Sequence, residues 1–212
     1  IMFRAAFFIL YTLALAASCR SADTPEKPAP TSRPARVVRM IPWFEMNIDD
    51  KQSVSKAVEG LRLWRQSTDT AIISIGYNQA AYFSTLCKQV PEMRIIPGLK
   101  TSPVLVPIGF DSILGWREIA RSINLACELT GSDTVLLENE TAIKSYIEGR
   151  QQYSWPALMD GLRELPLKYN ILWYPSAGDE GDRLDRYVQL CQAVHEVCNV
   201  QFVDHASLFA PK

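Results

Sequence analysis

Apolar residues fall along this chain in two alternating rhythms. Short β-branched and aliphatic runs at 37–41, 71–75, 94–97, 134–137, 171–174 and 200–203 predict buried strands. Between them, apolar positions recur at helical spacing over 52–65, 79–89, 114–129, 142–165 with a break at Pro156, and 183–197. In the third of these, Ile119, Ile123, Ala126 and Cys127 share one side, as a helix packed on a sheet requires. A strand followed by a helix, repeated, predicts right-handed parallel crossovers and the α/β class.

Where the polar residues sit separates two α/β architectures. An open doubly wound sheet concentrates its chemistry at one switch point, whereas a barrel spreads it over the carboxyl ends of successive strands. Here polar and aromatic residues follow most strands. Trp43, Phe44 and Glu45 follow the first, Tyr77 and Asn78 the second, Lys100 the third, and Glu138, Asn139 and Glu140 the fourth. Trp173 and Tyr174 end the fifth, and Asp204 and His205 follow the sixth. The expected fold is an α/β, (β/α)8 TIM-barrel-like domain with about six of eight β/α units visible. That count, with Ile1 standing before Met2, leads to the expectation of a longer reading frame; a complete six-stranded open sheet is the alternative.

The first 36 residues follow neither rhythm. Arg4 precedes an apolar run from Ala5 to Ala17 that is short for a bilayer span and ends in small residues, so 1–18 is expected to be an export signal peptide. Leu15-Ala16-Ala17-Ser18-Cys19 resembles a bacterial lipobox, with Ala16 where leucine is commonest. That resemblance implies lipidation at Cys19 and a membrane contact through the anchor; ordinary cleavage nearby is the alternative. Residues 19–36 are proline-rich and nearly devoid of large apolar side chains, which predicts a tether. The folded domain is expected over 37–212, exported and either held at the cell envelope or secreted.

Charge narrows the partners. With 22 basic and 23 acidic residues in 212, the chain has no electrostatic footprint for nucleic acid. Two histidines, His195 and His205, leave little for a histidine-rich metal site, and no Cys-x-x-Cys or glycine-rich phosphate loop occurs. Neither a metal nor a cofactor is expected, and the oligomeric state is not fixed by these residues. Cys87, Cys127, Cys191 and Cys198 occupy apolar helical positions, where buried free thiols are expected, with disulfides the alternative in an exported chain.

Asn139-Glu140, closing the run 134–138, resembles the Asn-Glu pair at the end of strand 4 in the clan of retaining glycoside hydrolases built on β/α barrels. The resemblance implies that Glu140 is a general acid/base and that Asn139 contacts a sugar hydroxyl; Thr141 stands where a proline commonly follows the pair. Such cleavage needs a proton donor and a second carboxylate about 5–5.5 Å away. In that clan the nucleophile sits on the seventh strand, beyond the six counted here. Glu45, Glu138 and Asp204 are the carboxylates available to substitute, with Glu138 taken as a further catalytic candidate. Trp43, Tyr77, Trp173 and Tyr174 are candidate sugar-stacking residues, with the rim of the core as the alternative place for each ring. The expected ligand is a carbohydrate, which the protein either hydrolyses or only binds.

A second resemblance belongs to another class. The segment 72–78, ending Gly76-Tyr77-Asn78, is similar to the oxyanion strand of flavodoxin-like, Gly-Asp-Ser-type esterases, and Asp204-His205 to their late Asp and His. No Gly-Asp-Ser precedes Gly76, and the Asp and His are adjacent here. Lys100 is also a candidate strand-end imine-forming lysine, against the simpler reading of a solvated side chain.

Overall fold

The computed structural model describes residues 6–9, 40–138, 154–174, 184–197 and 200–202. Seven strands form one sheet in sequential order. They are β1 (Ala6–Ile9), β2 (Met40–Glu45), β3 (Thr70–Gly76), β4 (Arg94–Lys100), β5 (Thr134–Glu138), β6 (Asn170–Tyr174) and β7 (Val200–Phe202). Five successive parallel pairings join β2 to β7, and β1 alone runs antiparallel, against β2. The order contains no reversal, so it has no switch point of the doubly wound kind.

The described helices are α1 (Lys51–Trp64), α2 (Phe83–Gln89), α3 (Ser102–Ile108), α4 (Ile113–Thr130), α5 (Trp155–Leu162) and α6 (Leu184–Val197), with a 3-10 turn at Tyr77–Tyr82. Local chemistry sets their ends. Asp50 caps α1 by accepting from the Gln52 amide at 2.9 Å. Gly131 closes α4 in the left-handed region at φ 64°, where a side chain would be strained, and its N–H returns to the Cys127 carbonyl.

Alternation along the strands sorts the core into two layers. Ile73, Ile95, Leu99, Val135, Leu137, Ile171 and Trp173 share a cluster with the buried side chains of all six described helices. Trp43, Ile72, Ile96, Leu136 and Leu172 form a second, smaller cluster on the other face, with no helical member among the described residues. All the described helices therefore cover one side, and the opposite side is apolar on its own account. Helices on a single face of a sequential parallel sheet form the wall pattern of a β/α barrel, whereas a doubly wound sheet has helices on both faces.

The structure shifts several expectations. The first domain strand runs to Glu45 and includes Trp43 and Phe44, which the sequence reading puts after it. α3 has no counterpart in the hydrophobic pattern, because Pro103 and Pro107 interrupt it; Pro103 sits in the first turn, where a missing N–H costs nothing. β1 lies inside the segment expected to be an export signal. The tether 19–36 and the helical stretch 142–153 lie outside the described residues, as does the lipidation candidate Cys19.

Candidate functional site

The helix-free face ends, at the carboxyl termini of its strands, in a row of polar positions. Register places Gly76, Lys100, Glu138 and Tyr174 side by side on β3, β4, β5 and β6. One step down the sheet, Glu45 pairs with Ser74. Lys100 and Glu138 continue the alternation of Ile96 and Leu136, so they belong to the helix-free face. Lys100 Nζ donates to Glu45 Oε2 at 2.9 Å, reaching across β3. That reach is open because Gly76 has no side chain and Ser74 is small. A Cβ at Gly98 would lie 2.2 Å from Ser74 Oγ, so glycine is required beside that serine.

The layer beneath is fixed. Trp43 Nε1 donates to Ser74 Oγ at 2.6 Å, and Ser74 is fully buried. Glu138 is held through its backbone, its carbonyl accepting from the Thr101 amide at 3.0 Å and the Thr101 hydroxyl at 3.1 Å. Its Oε1 is buried. The Glu45 and Lys100 side chains are 62% and 36% exposed, so their ion pair contributes at most about 1 kcal/mol to stability. Solvent reaches both groups, as a ligand would.

The expected sugar-stacking rings divide by parity. Trp173 is 1% exposed and lies 5.9 Å from Trp116 in the helix-side core. Its place in the sequence pattern, at a strand end, does not put it at the mouth, because its position alternates to the helix side. Trp43 is 6% exposed and engaged with Ser74, so it forms the floor and offers no open face. Tyr77 packs against the helix-side core at the start of the 3-10 turn. Trp43 and Trp173 are thus buried, and Tyr77 is partly buried against the helix-side core. Tyr174 keeps its place in register beside Glu138. Asn139, Glu140, Asp204 and His205 lie outside the described residues.

Lys100 and its pairing with Glu45 are what the sequence reading underrates. Gly76, read by resemblance as an oxyanion donor, gives its N–H to Gln79 Oε1 at 3.3 Å, and Gln79 Nε2 donates to Asp49 Oδ2 at 3.3 Å. That amide is occupied, and the sequential strand order departs from the reversal a flavodoxin-like esterase needs. A separate open groove of about 690 Å3 lies between α1 and α2, floored by Ile48, Val54, Val58 and Tyr82. Its lining includes neither Glu45 nor Glu138.

The chain matches no family model, no curated protein and no solved structure. Among the described residues no group of three or more histidine, cysteine or acidic side chains is arranged to hold a metal, and no helix is long and apolar enough to cross a membrane.

Cys87 and Cys127 are free thiols. Burial pushes Cys127 up to about 12 from an ordinary 9.0, with Lys168 pulling weakly the other way, and burial also raises Cys87. At pH 8 the Cys127 thiolate is then roughly a thousandfold scarcer in the folded protein than in the unfolded chain. Iodoacetamide should modify Cys127 only after denaturation, with peptide mass spectrometry as the readout. The raised folded value also sets a sign: this thiol's share of stability is complete below pH 9 and is lost as pH rises toward 12.

Proposed function

We propose that this protein is an exported, lipid-anchored (β/α)8-barrel-like protein that acts on carbohydrate in the manner of the retaining glycoside hydrolases. Glu140 is its general acid/base and Asn139 orients the sugar. The observation that supports this reading is the gathering of Glu45, Lys100 and Glu138 at the carboxyl ends of parallel strands, on the face the helices leave open. Glu140 follows Glu138, the last residue of β5, by two positions in the sequence. Polar groups at this end of such a sheet face a ligand crevice.

A second reading, carbohydrate binding without catalysis, draws on the Glu45 contact. A carboxylate hydrogen-bonded to an ammonium at 2.9 Å is a weak nucleophile and a good hydroxyl acceptor. Turnover of aryl glycosides by the full-length protein separates the two. Hydrolysis supports the enzyme, and saturable saccharide binding without hydrolysis supports the binder.

The anchor has its own test. Expressed in a bacterial host, the precursor should incorporate labelled fatty acid and partition into detergent, and Cys19→Ser should abolish both. A soluble, unlabelled wild-type product would replace anchoring with simple secretion.

A further inference from the structure

We infer that Lys100 and Glu45 form a clamp for adjacent hydroxyl groups, and that the charge of this rim restricts the ligand to neutral saccharides. This deepens the carbohydrate reading and rests on it. A lysine ammonium only donates hydrogen bonds and an ionised carboxylate only accepts them, whereas a hydroxyl does both. The Lys100 and Glu45 groups lie 2.9 Å apart on the helix-free face, so a donor and an acceptor stand side by side. Their mutual bond uses one of three ammonium protons and leaves acceptor capacity on both carboxylate oxygens. A vicinal diol can therefore accept from Nζ and donate to Glu45 while the ion pair persists.

Shape and charge agree with this. Between the two strands that carry the clamp, β3 presents Ser74 and Gly76, so no large β3 side chain rises over the pair. Glu138 lies next to Lys100 in register, and Asp49 is tied to the end of β3 through Gln79. Among the described residues here, the carboxylates Glu45, Glu138 and Asp49 outnumber Lys100. A sugar carboxylate brought beside them meets like charge, which disfavours it.

The test is calorimetric titration of the full-length protein with neutral gluco-, manno-, xylo- and galacto-oligosaccharides, and with oligogalacturonates as the charged counterparts of the last. The wild type should bind at least one neutral series, and its oligogalacturonate affinity should be weaker by about tenfold or more. Lys100→Met should weaken neutral binding by about tenfold or more with little change in melting temperature, because the pair is exposed. Lys100→Arg, which still donates, should recover most of it. Glu45→Gln should narrow the gap between neutral and charged ligands. Unchanged binding by Lys100→Met, or oligogalacturonate binding as tight as neutral, overturns the clamp while leaving the carbohydrate reading in place. Failure of the wild type to bind any saccharide overturns both.

Discussion

Glu140→Gln in the full-length protein should lower turnover of glycosides with poor leaving groups by on the order of a hundredfold or more. The substitution keeps the size and shape of the side chain and removes only the transferable proton. Activated aryl glycosides, whose leaving groups need little protonation, should lose far less in the glycosylation step. A plot of log kcat/KM against leaving-group pKa should therefore steepen in the variant. Glu138→Gln is the control. Glu138 stands two residues earlier in the sequence, at the end of β5 beside Lys100, and has no assigned proton transfer, so its loss should be modest and flat across leaving groups. Leaving-group dependence in Glu138→Gln and not in Glu140→Gln would mean the wrong carboxylate is assigned. No change in either variant would mean that neither carboxylate carries the proton transfer, and absence of turnover in the wild type would favour the binding protein.

Trp116→Ala should cost about 3–5 kcal/mol of folding stability, near the upper end for a single substitution. Trp116 is fully buried, donates from Nε1 to the Phe110 carbonyl at 2.8 Å, meets the Phe110 ring edge-on at 5.5 Å and lies 5.9 Å from Trp173. It also reaches α5, where a Cβ at Gly161 would come 2.3 Å from its ring. One side chain thus joins the α3–α4 connection, α5 and β6. Deleting it opens a cavity and removes the indole donor at Phe110. The check is the midpoint of urea unfolding against wild type. Leu114→Ala, at a position 65% exposed and two residues away, should move it by less than about 0.5 kcal/mol. Equal effects for the two would contradict the packing described.

Much of the scaffold is legible in the sequence, for a physical reason. Strands buried on both faces read as continuous runs such as Ala71 to Ile75, and helices packed on one side read as spaced sets such as Ile119, Ile123 and Cys127. Those signals are local. The α/β class and the strand sequence follow from them, whereas closure into eight units does not. The site is less legible because parity and distance are non-local. Trp173 and Tyr174 are neighbours in sequence, yet only the sheet register shows that Trp173 belongs with the helices. Lys100 meets Glu45 across 55 positions, with β3 between them, and no spacing rule reports such a contact. α3 was hidden by its own prolines, which periodicity counts as breaks even where one begins a helix.

The antiparallel pairing of Ala6–Ile9 with Met40–Ile41-Pro42-Trp43 has a consequence for biogenesis. On the export reading, machinery must find an accessible apolar segment, and four residues of the proposed signal, Ala6 to Ile9, are paired instead with β2. Folding and translocation then compete for the same stretch of chain. A precursor that completes this sheet in the cytosol conceals its address, so delivery favours a chain that is captured early or folds slowly, and parallel sheets with long crossovers are slow to form. On the same reading, cleavage after passage would remove β1 from β2 and free that edge to pair with another strand, as closure of a barrel requires.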